Sequence, residues 1–206
     1  MRPERDAELE NEVFENESFR GQDLSGLRTS RCTFRGCDFT LAQLNGSEHD
    51  GTDFANSTFE SANVFGARFA ECRLVGATFA GATVTGLIVE GGDWSYVLLR
   101  GQDLTGLIVE GGDWSYVLLR GQELTGLELR QVRLREADLS ETDLTDADLY
   151  GADLTRARLH NATLAGADLR EATVDGVDLS AARIAQARLD LGGAVQLARS
   201  LGAVLE

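Results

Sequence analysis

The sequence predicts an all-β solenoid, and three observations predict it. From Ala137 to Leu169 every fifth residue is a leucine: Leu139, Leu144, Leu149, Leu154, Leu159, Leu164 and Leu169. Two positions before each sits a small residue, Ala or Thr. The same frame runs without a phase shift from residue 14 to residue 189, and 34 of its 36 positions carry Phe, Leu, Val, Ile or Trp, so one architecture covers nearly the whole chain. A five-residue step fits no ordinary element. On an α-helix it advances by roughly 140° and the leucines would spiral around the axis. On a continuous strand an odd step would alternate them between faces. The pattern closes only if the backbone turns a corner every five residues, which brings each leucine into a shared interior.

At 206 residues such a repeat reads as one elongated domain. Asp and Glu outnumber Lys and Arg 34 to 19, a formal charge of −15 that speaks against sequestering nucleic acid or an anionic membrane surface and for solubility or a basic partner. The opening MRPERDAELENEV is charged and does not read as a signal peptide. No apolar run approaches the ~18 residues that would span a bilayer, so the expected compartment is the cytoplasm and no membrane partner is expected.

In chain order, residues 1–11 read as an N-terminal cap whose glutamates discourage end-to-end stacking. Residues 12–191 form the repeat. Within it Thr85–Leu104 recurs as Thr105–Leu124 with one change, Asp103 to Glu123, so 85–104 and 105–124 read as a tandem duplicated coil, natural or inserted. The copies place Ile88, Ile108, Leu98 and Leu118 at outward positions, a candidate contact surface or scattered apolar residues. After Leu189 the period stops. Asp190 is an N-cap candidate, and residues 192–206 read as a short amphipathic helix with Val195, Ala198, Leu201 and Leu205 on one stripe. It would cap the open end of the tube, dimerise the rod, or do both.

The units resemble the pentapeptide-repeat family, whose consensus is roughly A-(D/N)-L-x-x; residues 137–141 and 152–156 match it as they stand, and the likeness covers about residues 12–191. The resemblance implies a right-handed quadrilateral β-helix with four pentapeptides per coil. Thirty-six units then make nine coils, a rod of about 43 Å at the spacing of paired strands. Sorted by twenties, the interior residues fall into four columns, and no Phe occurs beyond Phe79, so an aromatic N-terminal half passes into an aliphatic C-terminal half.

The cysteines Cys32, Cys37 and Cys72 take the small inward position. Cys32 and Cys72 share a face two coils apart, about 9.6 Å, too far for an unstrained disulfide, so they read as packing thiols. The frame exceptions Thr29 and His49 stack one coil apart and read as a hydrogen-bonded interior pair. His160 points outward alone. No phosphate loop, nucleophile elbow or metal-spaced cluster is present, so no catalytic residue, cofactor or metal site is assigned and the protein is read as a non-enzyme.

Charge placement carries the functional reading. Asp103, Glu123 and Asp143 fall in one outer column, Asp93 with Asp113 and Asp148 with Asp168 in others. Carboxylates about 5 Å apart repel by just under 1 kcal/mol in water, so leaving them stacked points to a partner with a cationic groove or to selection for solubility. Within the family the chain resembles the mycobacterial fluoroquinolone-resistance proteins and, more distantly, the Qnr proteins, through the unbroken coil, the Phe-to-Leu change, ADLREATVDGV at 167–177 and the LGGAVQLARSLG tail. That resemblance implies a homodimeric DNA mimic joined at its C-terminal end, which binds DNA gyrase or another type II topoisomerase in the DNA saddle of GyrA and confers resistance to fluoroquinolones or other topoisomerase poisons. It implies contact through Asp138, Asp143, Asp146, Asp148, Asp153, Asp168 and Asp178, and dimerisation through Val195, Ala198, Leu201 and Leu205. The second reading is a structural solenoid scaffold, an engineered coil insertion that retains no partner.

Overall fold

The protein is described from a computed structural model over residues 3–99 and 102–204. The corners come first, because they convert the period into a tube. At most of them the carbonyl of the inward residue accepts from the N–H three residues on, as in Leu144 O from Ala147 N (3.1 Å) and Leu149 O from Ala152 N (3.0 Å). The residue before that donor lies in the left-handed region: Asp146 has φ 56° and Gly151 φ 66°. This is type II turn chemistry, which favours Gly or Asn at that position. Here Glu71, Tyr96, Arg156 and others take it as well. The cost of such a conformer is roughly 1–2 kcal/mol, comparable to what burying a single inward side chain contributes, about 1.5–3 kcal/mol.

Coils pair in parallel with a twenty-residue register. Three-residue strands β1 (Glu8–Glu10), β3 (Arg28–Ser30), β5 (Glu48–Asp50), β6 (Arg68–Ala70), β7 (Ile88–Glu90) and β8 (Ile108–Glu110) make a six-stranded sheet in that order. On the next side β2 (Val13–Glu15) pairs β4 (Thr33–Arg35). Elsewhere single bridges keep the register, for example Asp148 with Asp168 and Asp168 with Arg188. Residues 1–11 were expected only to cap the tube, yet β1 is itself the first rung, pairing Leu9 with Thr29. The unit count predicts nine coils, whereas the continuous strand ladder makes five turns and ends at β8. The reason is local. Towards the next coil the wall opens, with no bridge from Asp103 to Glu123 or from Ile108 to Glu128 among the described residues. Beyond the opening, single bridges take the register on to Arg188.

The frame residues fill the interior as the sorting by twenties predicts. Phe19, Phe39, Phe59 and Phe79 stack at 5.1, 5.0 and 4.7 Å, and Phe14, Phe34 and Phe54 at 4.8 and 5.3 Å. Trp94 stacks on Trp114 at 5.1 Å, both indole N–H groups buried without an acceptor. Past that pair the core is aliphatic. One polar layer interrupts it. His49 Nδ1 lies 2.7 Å from Thr29 Oγ1, which meets Thr52 Oγ1 at 2.9 Å, while Nε2 lies 2.9 Å from Ser47 Oγ. Both ring nitrogens thus have a partner, and full burial pushes the imidazole pKa down to about 3, so the ring is neutral. Cys32, Cys37 and Cys72 are buried and free, and burial raises the Cys72 thiol to about 12, which leaves it unreactive.

The C-terminal end is closed by α1 (Leu191–Ser200). Asp190 is the N-cap, accepting from Gly193 N at 2.9 Å. The helix begins one residue before the expected 192 and stops at Ser200, short of the expected run to Glu206. Gly202 takes φ 86°, Gly202 N donates to Arg199 O and Ala203 N to Ala198 O, the pair of bonds that ends a helix in a Schellman turn. No helix among the described residues is long and apolar enough to cross a membrane.

Candidate interaction surface

Each pentapeptide projects the residue just before its inward leucine outward, so four consecutive units present one side chain on each side of the tube. Asp138, Asp143, Asp148 and Asp153 are four such neighbours. The bridges place them in four different columns, beside Arg158, Thr163, Asp168 and Thr173 respectively. They form a belt of carboxylates around one coil, with Asp168 one coil further on. Asp146 stands exposed at a corner, and Asp178 is exposed in the last coil. The sequence-assigned acids are therefore brought together around one end of the rod and not along one side.

Their environments differ. Asp143 accepts from both Thr145 N (2.9 Å) and Thr145 Oγ1 (2.5 Å), and the hydroxyl bond, with the amide bond behind it, lowers its pKa. Asp138 is partly buried, which opposes ionisation, but bonds from Ser140 and the charges of Arg158 and Arg120 outweigh this and lower its pKa. Asp148 pairs with Arg130 at 2.6 Å and Asp153 with Arg135 at 3.3 Å. Asp168 is the most enclosed: Arg170 holds it through Nε and Nη2 at 2.9 and 2.6 Å, Arg188 approaches at 3.7 Å, and its pKa falls to about 2, chiefly through the Arg170 hydrogen bonds. Arg130 and Arg170 also sit 5.8 and 6.0 Å from the Tyr150 ring centroid, bracketing it from the coils above and below. Among the described residues Asp143, Asp146 and Asp178 make no ion pair. Asp138 likewise lies in no ion pair, although the charges of Arg158 and Arg120 act on it. The column expected to run Asp103, Glu123, Asp143 is realised only between Glu123 and Asp143, because the wall opens above Glu123.

Of the residues assigned to dimerisation, Val195 and Ala198 are half-buried, Leu201 is exposed, and Leu205 lies outside the described residues. The helix residue packed on the core is Leu197, and Gln196 Nε2 donates to Val177 O at 2.8 Å. The stripe read from the sequence contains neither residue. Leu191, Leu201 and Val204 remain exposed beyond the cap. Sequence reading also missed Tyr96 and Tyr116, which stack at 4.5 Å on the outside of the duplicated coil, one coil above the other at a corner. Their twenty-residue spacing was a usable signal.

The tube superposes on QnrB1, a plasmid-mediated fluoroquinolone resistance protein. A trypsin-treated QnrB1 variant gives a TM-score of 0.78 at 22% identity, over 96% of this chain and 99% of that one. Full-length QnrB1 gives 0.73 at 21% identity, over 93% of this chain and all of the other. No curated protein sequence matches. The profile described as Pentapeptide repeats matches residues 37–74, 115–151, 123–161 and 157–190, more than half of the chain. With a five-residue frame over the matched residues, the chain belongs to the pentapeptide-repeat family.

Proposed function

We propose that the protein is a non-enzymatic DNA mimic that binds DNA gyrase or a related type II topoisomerase in the saddle where DNA lies, acting in the cytoplasm as a homodimer through its C-terminal end. The observation that carries this is charge per length. From Glu8 to Arg188, at one strand spacing per twenty residues, the rod is about 43 Å long. Its formal charge of −15 is then about one negative charge per 3 Å. Duplex DNA carries about one per 1.7 Å, so the rod reaches roughly three-fifths of that density in a rigid form. The likeness to QnrB1 supports a role in fluoroquinolone resistance.

Asp143, Asp146 and Asp178 are the contacts to test, because Asp148, Asp153 and Asp168 are already neutralised by arginines. Replacing the three by asparagine removes three charges while keeping the carbonyl oxygen that Thr145 and Ser180 bond and the tolerance of a left-handed corner at position 146. Inhibition of gyrase supercoiling by this variant should weaken several-fold, and the parent's inhibition should fall with added salt. Inhibition unchanged by both the substitutions and salt would refute the proposal. A scaffold reading is favoured by one observation, the opened wall within the duplicated region. Removal of Thr105–Leu124 separates the two: a scaffold gains no gyrase activity, whereas a mimic lengthened by about 4.8 Å gains fit.

A further inference from the structure

The wall of the tube is open along two of its sides at the second copy of the duplicated coil. Residues 105–110 stay bonded to the preceding coil, with Gly86 N donating to Thr105 O at 3.0 Å, Ile108 N to Leu87 O at 2.9 Å and Gly91 N to Glu110 O at 2.8 Å, whereas no backbone bond joins 103 or 104 to that coil among the described residues. Towards the following coil no backbone hydrogen bond joins 103–111 to 122–130 among the described residues. Elsewhere the equivalent bonds are regular, as in Leu44 N to Asn63 O (2.7 Å) and Gly126 N to Thr145 O (2.8 Å). One lip therefore presents the N–H groups of Leu104 and Gly106 and the carbonyl of Leu107. The other presents the carbonyls of Glu123 and Thr125 and the N–H of Glu128. Between them lies a cleft of about 550 Å³ lined by Asp103, Leu104, Leu107, Glu123, Leu124 and Leu127, among others.

Backbone polar groups left facing an apolar wall seek partners. Two facing lips with the donors and acceptors of a parallel ladder are complementary to one more strand. An extended residue occupies about 3.3 by 4.8 by 10 Å, so the cleft holds three to four of them. The register dictates their side chains. The inward position of an added rung lies between Leu104 and Leu124, and the outward position just before it lies between Asp103 and Glu123. We propose that this cleft binds an extended segment of a basic partner, three to four residues long, in which a lysine or arginine precedes a leucine, seated as an additional rung of the helix.

The test uses two blocked peptides, Ala-Lys-Leu-Thr-Gly and Ala-Glu-Leu-Thr-Gly, titrated into the full chain by calorimetry and by amide exchange in NMR spectra. The lysine peptide should bind saturably, protect the Leu104, Gly106 and Glu128 amides, and bind at least about tenfold more tightly than the glutamate peptide, because its charge lies between two carboxylates. The full-chain variant Glu123→Lys, checked for folding by circular dichroism, should narrow or reverse that preference. A chain lacking Thr105–Leu124 merges the two lips and should not bind. Absence of saturable binding to the parent overturns the proposal. So does equal binding of the two peptides, or undiminished binding to the shortened chain.

Discussion

His49 gives the sharpest quantitative test of the interior. The ring is wholly buried among Thr29, Ser47, Phe54 and Phe69, and desolvation alone, with no charged neighbour contributing, holds its pKa near 3 against 6.5 for the free side chain. The unfolded chain therefore takes up a proton below pH 6.5 that the folded chain refuses until about pH 3. Stability contributed by the neutral ring is complete above pH 6.5 and is lost as pH falls towards 3. Between pH 7.5 and 4.5 the loss is about two pKa units, or about 2.7 kcal/mol at 1.36 kcal/mol per unit. A variant that lacks the imidazole but keeps every carboxylate separates the histidine's contribution from theirs. Urea unfolding at the two pH values, on the parent and on His49→Phe, measures it. The variant extends the ring column of Phe69 and should lose less than about 1 kcal/mol between the same conditions. A parent whose stability is equal at both pH values, or a variant with the parent's pH dependence, would refute the argument.

Two further outcomes are expected. Phe39→Ala empties a site in which the ring stacks on Phe19 and Phe59 and meets Phe34 and Phe54 edge-on, and should cost about 3–5 kcal/mol in denaturant unfolding. Because a solenoid loses stability coil by coil, hydrogen exchange should accelerate in the N-terminal coils more than near α1. Arg170→Ala removes the principal cause of the low Asp168 pKa, so a carbon-detected NMR titration should find that carboxyl raised from about 2 towards the usual carboxylate range.

The amino-acid order by itself determined the tube. A hydrophobic residue at every fifth position, a small one two before it and no phase shift leave only a backbone that turns each five residues, and the columns Phe19 to Phe79 and Phe14 to Phe54 follow from counting by twenties. The Thr29–His49 contact followed from the same count. What counting could not reach depends on how finished surfaces meet. The partners of Asp148, Asp153 and Asp168 are set by where arginine side chains from other units swing, so seven acids that look alike in the sequence divide into neutralised and free. That Leu197 packs on the core, and that Asp190 and Gly202 bound α1, are visible only once the helix is docked on the last coil. The opening beside the duplicated coil is also tertiary. Two nearly identical twenties predict identical pairing, yet a coil's pairing depends on both neighbours, and the second copy has a different neighbour from the first.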